Sequence, residues 1–265
     1  MKRKVSAAVT TDKEVEIIDV NRENVSETGF FCYMSKRKSE GYRRKLDWLK
    51  ARFDEGLRIK LLKLPERGFI EYIPGEYAWR AVNDAQGYML IHCIWVAGRS
   101  KGKGYGGFLV ERCIKDAKKA GMRGVAMVTS EGNWLAGNEL LLHHGFVPVD
   151  KAPPCFTLMV RRFSDAPPPS FPMDWQARLG RFSEGLTILR SDQCPYIENA
   201  THILLDAAKE RRIKSRVTEL KNCAEVGKMS PSPYGVFNVV HRGRLLSYHM
   251  VGKDRFSEFV KMNRD

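Results

Sequence analysis

The sequence predicts an α/β protein of two units, and three observations carry that prediction. Strand-like and helix-like segments alternate through both halves of the chain. A Pro-rich break from Ser164 to Pro172 holds four of the twelve prolines, the composition of an extended, semi-rigid connection. A wholly apolar strand, Tyr88 to Val96, runs into a Gly-rich basic turn that opens directly into a helix. The boundaries this predicts are 1–163 for the first unit, 164–184 for a linker and 185–265 for the second. The 265 residues are enough for one to two domains with a core each.

In the first unit, Val15 to Val20 reads as a strand. Tyr42 to Phe53 follows as a basic amphipathic helix, with Tyr42, Leu46, Leu49 and Phe53 at helical spacing. Strands are predicted over Arg58–Leu64, Gly68–Tyr72, Glu76–Val82 and Tyr88–Val96. A helix from Tyr105 to Ala120 carries Tyr105, Leu109, Cys113 and Ala117 on one stripe. Gly124–Thr129 is a buried strand, Trp134–His144 a short helix stopped by Gly145, and Phe156–Arg162 the closing strand.

Composition excludes several classes. Hydrophobic residues at 43% and charged ones at 29% are ordinary for a globular chain, not a disordered or fibrous one. The basic N-terminus has too short an apolar stretch for a signal peptide, and no run approaches about 18 apolar residues, so a cytoplasmic protein is expected. The six cysteines (Cys32, Cys93, Cys113, Cys155, Cys194, Cys223) show no CxxC pair and no His/Cys ligand spacing. Neither a disulfide framework nor a metal site follows from them. The net charge of +14 is spread along the chain: 27 Lys and Arg against 19 Asp and Glu over 1–160, and 18 against 12 over 161–265. A nucleic-acid binder concentrates its charge on one element, so that partner is disfavoured and an anionic ligand or solubility explains the charge.

The turn Arg99-Ser100-Lys101-Gly102-Lys103-Gly104-Tyr105-Gly106 holds the chemistry. A helix N-terminus presents unpaired N–H groups and a positive dipole end, and Gly102, Gly104 and Gly106 allow close backbone approach. Together they suit a pyrophosphate. A Walker loop requires Lys-Ser/Thr after its last glycine, where Tyr105 stands. A Rossmann fingerprint belongs early in a βαβ unit, and this turn comes after about four strands.

Arg99-x-x-Gly102-x-Gly104 resembles the acetyl-CoA signature of the GNAT superfamily of N-acetyltransferases. Glu131-Gly132-Asn133-Trp134-Leu135-Ala136, leading to His144-Gly145-Phe146, resembles its second motif, and the order of elements over Val15 to Arg162 agrees. The resemblance implies an α+β fold with a mixed, mostly antiparallel sheet whose central strands splay. It implies acetyl-CoA as cosubstrate and direct acetyl transfer to an amine. The pantetheine arm would meet backbone near Cys93, Ile94 and Val96, with the residues from Arg99 to Gly106 on the pyrophosphate and Asn133 at the second motif. A carboxylate at a strand end would serve as base, Glu71 first and Glu131 second, each of which reads equally as a surface carboxylate. The family often places a Tyr four residues before the helix-ending Gly as acid; here Leu141 stands there. Tyr88, His143 or His144 would substitute, or the thiolate leaves unaided. His92 and Cys93, as strand neighbours pointing to opposite faces, read as packing residues. The segment Tyr72 to Arg80, with Tyr77 and Trp79, either lines the acceptor pocket or packs its aromatics on the sheet.

The second unit reads β-α-β-α-β-β-α, with Cys194-Pro195-Tyr196 at its first helix and Ser-Pro before a hairpin turning at His241–Arg244. That order resembles the thioredoxin fold, a C-terminal thioredoxin-like α/β domain. A thiol at a helix N-terminus has a lowered pKa, so Cys194 is a possible nucleophile; Ile197 occupies the CxxC partner position, which leaves a monothiol or thiol-binding role as the alternative function. The whole arrangement resembles the YoaP-like group of acetyltransferases.

Overall fold

The computed structural model describes residues 15–132 and 135–262; the basic N-terminal stretch, Asn133 and Trp134 lie outside them. Seven strands form the first sheet: β1 (Ile17–Val20), β2 (Arg58–Leu62), β3 (Gly68–Pro74), β4 (Tyr88–Val96), β5 (Gly124–Ser130), β6 (Val147–Ala152) and β7 (Phe156–Arg162). Their order is β1-β2-β3-β4-β5-β7-β6, antiparallel everywhere except between β4 and β5. That pair is in register only from Tyr88 with Gly124 to Ile91 with Met127. Beyond Ile91 the two strands part, and His92 to Val96 has β3 on one side only.

Helices α1 (Val25–Thr28), α2 (Glu40–Phe53), α3 (Tyr105–Lys119) and α4 (Asn138–Leu142) accompany this sheet. α2 begins at Ser39, whose hydroxyl accepts from Tyr42 N at 3.3 Å. Its buried stripe is Gly41, Tyr42, Lys45, Trp48 and Leu49, so a lysine occupies a place that amphipathic patterning assigns to an apolar residue. α3 covers the opposite face: its Leu109, Val110, Cys113, Ile114 and Ala117 join Ile70, Tyr72, Met89 and Ile91 in one core. The other core takes Phe69, Ile73, Tyr88 and Leu90 from the same strands, the alternation a two-faced sheet requires.

Three elements differ from expectation. The predicted strand Glu76–Val82 is a single 3-10 turn, Gly75–Tyr77, followed by irregular chain. Its backbone N–H groups find partners outside any ladder: Trp79 N donates to His92 Nε2 at 3.0 Å and Ala81 N to Pro233 O at 3.3 Å. Of the predicted helix Trp134–His144, whose first residue lies outside the described residues, the described part is helical over Asn138–Leu142, because Ser130 N bonds Ala136 O and Asn138 Oδ1 accepts from Thr129 Oγ1 at 2.5 Å, holding the preceding turn against β5. β6 was not anticipated; Pro148 lies within it, tolerated because β6 is an edge strand.

After α5 (Trp175–Gly180) the chain forms β8 (Leu186–Arg190), α6 (Ile197–Glu210), β9 (Ser215–Glu219), α7 (Cys223–Met229), β10 (Phe237–His241), β11 (Arg244–Ser247) and α8 (Lys253–Met262). The second sheet runs β11-β10-β8-β9, with β8 and β9 parallel and the other pairs antiparallel. The stretch 164–184 is no open spacer. Phe171, Trp175, Leu179 and Phe182 are buried, and Asn83 and Ser170 exchange backbone hydrogen bonds of 2.7 and 3.1 Å. One core accordingly runs from Trp48, Trp79 and Phe156 into Leu204, Phe237 and Phe256 of the second unit.

Candidate functional site

Where β4 leaves β5, two cavities lie on opposite faces of β4. On the α3 side a groove of ≈ 370 Å³ runs along Ile94, Trp95 and Val96 to Ser100, Gly102, Gly104 and Gly106, with Ala136 and Leu140 opposite. Gly102 and Gly104 have φ of +76° and +80°, and a Cβ at either would meet nothing within 4 Å; the backbone there is both left-handed and bare. Gly104 caps α3, whose first-turn amides face this end of the groove. Ser100 is buried and spoken for: its hydroxyl donates to Glu66 Oε2 at 2.6 Å and accepts from Arg67 N at 2.9 Å, pinning the turn to the β2–β3 loop. Glu66 also takes Lys103 Nζ at 3.2 Å. These contacts, the Ser100 bond foremost, hold the Glu66 carboxyl below the usual range.

On the other face is a smaller cavity of ≈ 50 Å³, walled by Phe30, Phe69, Leu135 and Val236 and floored by polar groups from both units. A β-bulge shapes it. Glu71 of β3 pairs with Cys93 and Tyr72 with Ile91, so His92 is the extra residue. The bulge cancels the alternation, and His92 and Cys93 both line the cavity beside Glu71. Glu71 is 2% exposed and bonded to Lys45 Nζ at 2.6 Å. Burial raises its carboxyl, but Lys45 and then His92 override this and bring it to about 2. Burial lowers His92 to about 4 despite its carboxylate neighbour, so the ring is neutral near pH 7. Since Trp79 N–H can only donate, Nε2 is the bare nitrogen and Nδ1 carries the proton, 3.4 Å from Glu71 Oε1. Arg80 is 4% exposed and donates to Trp79 O, His92 O and Gln193 Oε1. Gln193, Cys194, Pro195 and Tyr234 close the cavity from the second unit.

A family model described as the acetyltransferase (GNAT) family matches residues 30–146. The uncharacterized N-acetyltransferase YoaP of Bacillus subtilis is 30% identical over 248 residues, covering 92% of this chain and 97% of that one. The chain belongs to the GNAT acetyltransferase family. Among solved structures, a GNAT family acetyltransferase from Brucella melitensis in complex with acetyl-CoA is 16% identical over 58% of this chain and 91% of its own, at a TM-score of 0.38. A ribosomal-protein-alanine N-acetyltransferase from the same organism is 15% identical over 55% and 97%, at 0.40. No helix among the described residues is long and apolar enough to cross a membrane.

Within this GNAT chain the residues expected at the cofactor divide cleanly. Ile94, Val96, Ser100, Lys101, Gly102, Gly104, Tyr105 and Gly106 line the groove. Cys93 faces the smaller cavity instead, turned over by the bulge. Arg99 is exposed, Lys103 is held by Glu66, and Asn133 lies outside the described residues. Of the expected catalytic residues, Glu71 is in the cavity, while Glu131 is exposed just past β5. Tyr88 is misplaced as an acid: it starts β4, eight residues from Val96, and its hydroxyl donates to Pro167 O at 2.9 Å. His143 and His144 line neither cavity; His144 Nδ1 meets Glu111 Oε1 at 2.7 Å. Leu141 is fully buried on the α3 face.

Neither residue singled out for the acceptor, Tyr77 or Trp79, lines the cavity. Tyr77 is 41% exposed and Trp79 packs edge-on to Trp48 at 5.2 Å; Arg80 is the member of that segment which lines the cavity. Cys194 does not have the lowered pKa of an exposed helix N-terminus, because burial pushes it up to about 11, and Cys93 likewise to about 12. Both are thiols near neutral pH. Sequence reasoning placed Arg80 only within a segment, singling out Tyr77 and Trp79, and missed Lys45 and Gln193. The one available signal was Lys45, a cation on the apolar stripe of α2.

Proposed function

We propose that this protein transfers an acetyl group from acetyl-CoA to an amine, with the cofactor in the groove on the α3 side and the acceptor in the cavity on the other. The observation that carries it is the parting of β4 from β5 after Ile91, which opens a groove from Ile94 to the Gly102–Gly106 turn. The turn and the α3 amides are suited to the pyrophosphate, and the unpaired edge of β4 to the pantetheine amides. The amine nitrogen attacks the thioester carbonyl carbon, the C–S bond breaks, CoA leaves as the thiolate, and the proton shed by the amine passes to that thiolate or to water. Backbone N–H groups at the bulge would stabilise the oxyanion.

Glu71, in this reading, stays ionised and orients; a carboxylate near pKa 2 is a poor sink for an ammonium proton. Two buried cations, Lys45 and Arg80, against one carboxylate instead favour the acceptor amine in its neutral, nucleophilic form. A thiol of pKa about 8.5 leaves without an acid, which accommodates Leu141.

For the second unit we propose the thioredoxin-like class, with 164–184 as the connection and 185–265 as the domain. Its support is the strand order β11-β10-β8-β9 with a parallel β8–β9 pair.

Calorimetric titration of acetyl-CoA into wild type, Gly102→Ala and Gly102→Glu tests the cofactor site. Both variants carry the same cost of a Cβ at positive φ, and only Glu brings a carboxylate to the pyrophosphate. Micromolar binding to wild type and Gly102→Ala, weakened at least tenfold in Gly102→Glu, is expected. No binding to wild type would sink the reading.

A further inference from the structure

Among the described residues Arg80 forms no ion pair. It is 4% exposed, and the acceptors of its hydrogen bonds are two backbone carbonyls and an amide oxygen, Trp79 O, His92 O and Gln193 Oε1. The Tyr234 ring lies 5.2 Å from the guanidinium carbon. No carboxylate among the described residues forms an ion pair with it; Glu71, the one carboxylate lining the cavity, is taken up by Lys45. A guanidinium does not deprotonate in a protein, and a buried, uncompensated cation is costly. Folding has therefore placed an unneutralised positive charge at the wall of a cavity.

Gln193 makes the second, independent observation. It is 6% exposed. Its Oε1 is fixed by Arg80, so its amide nitrogen is the other terminus, and that buried Nε2 has no hydrogen-bond partner. Both residues line the same cavity. A cation and an unfilled N–H donor side by side form the complement of a carboxylate. The size is also restrictive: ≈ 50 Å³ holds about three to five waters, or about 90–150 Å³ of liquid, the bulk of a small amino acid.

We propose that the cavity binds a small carboxylate-bearing amine, its carboxylate on Arg80 and Gln193 and its nitrogen toward the Cys93 edge of β4. With that ligand each buried cation of the cavity has a counter-ion: Lys45 has Glu71 and Arg80 has the ligand carboxylate. The ligand's role as acceptor rests on the acetyl-transfer reading; its binding does not.

The test uses the full chain and matched probes: glycine, alanine and β-alanine against glycinamide, alaninamide and propylamine. Each is titrated calorimetrically, and each is assayed for CoA thiol release from acetyl-CoA. The expected result is at least tenfold tighter binding, and at least tenfold higher kcat/KM, for the carboxylate member of each pair. Gln193→Glu, which supplies Arg80 with an internal counter-ion, is expected to remove that preference. If it does not fold, Gln193→Leu, which removes the unfilled Nε2 donor together with the Oε1 that Arg80 holds, is expected to reduce it. Equal or better binding of the members without a carboxylate, no binding of any amino acid at tens of millimolar, or a preference unchanged in the variant overturns the proposal. Acetyl-CoA binding without carboxylate preference sinks the carboxylate site alone. Carboxylate preference without acetyl-CoA binding sinks the acetyl-transfer reading alone.

Discussion

Glu71 and His92 are buried groups whose pKa values are both displaced downward, and that has a measurable consequence for stability. Glu71 sits near 2 against an ordinary 4.5, so its contribution is complete above about pH 4.5 and is lost as the pH falls toward 2. His92 sits near 4 against 6.5, so its contribution is complete above about pH 6.5 and is lost as the pH falls toward 4. Each displacement of 2.5 pH units corresponds to about 3 kcal/mol. The two windows join, and denaturant unfolding should show stability falling continuously from pH 6.5 rather than from 4.5. His92→Gln, which keeps an acceptor near the position of Nε2, should reduce the loss between pH 6.5 and 4.5, the remainder coming from His241 and His249, which burial also displaces downward; an unchanged upper window would refute the account. Neither shift is readable from sequence. Strict alternation along β4 turns His92 away from Cys93, and only the bulge, which no residue type announces, brings them together.

At the scale of elements, α2 and the turn before α6 are in direct backbone contact. A Cβ on Gly41 would lie 2.2 Å from Pro195 O, closer than any real Cβ contact, so Gly41→Ala must displace the Gln193–Pro195 turn from α2. The groove on the α3 side shares no lining residue with that contact. Gly41→Ala is therefore expected to leave the acetyl-CoA dissociation constant within about twofold while lowering acetyl transfer at least tenfold; the two are separated by calorimetry and a CoA-release assay. Most elements were legible. The apolar run of β4, the stripe of α3 and the glycines between them follow from periodicity and backbone freedom alone. The illegible ones fail for identifiable reasons: Pro148 disguises β6, and residues 135–137 obey the hydrogen bonds of Ser130 and Thr129 rather than helix propensity. Gln193 and Arg80 are 113 positions apart, and no local pattern links them.

Over the whole molecule, the two sheets share one core and a seam of polar contacts. Arg44 of α2 reaches Asp192 at 2.8 Å and Glu219 at 2.5 Å, and Tyr248 joins Ser130 at 3.0 Å. Phe156 packs edge-on against Tyr248 at 4.6 Å, and Gly235 lies so close to the Trp79 carbonyl that a Cβ there would come within 2.9 Å of it. Scanning calorimetry of the full chain is expected to give a single transition with equal calorimetric and van't Hoff enthalpies. Two resolved transitions would show that the units unfold independently. On the proposed function, the two cavities on opposite faces of β4 have a further meaning. Each substrate would have its own doorway, and the sheet itself would be the meeting place. Free CoA would then contend with acetyl-CoA for one entrance, while the acetylated product would contend with the acceptor for the other, so that neither guest need wait for its counterpart to depart.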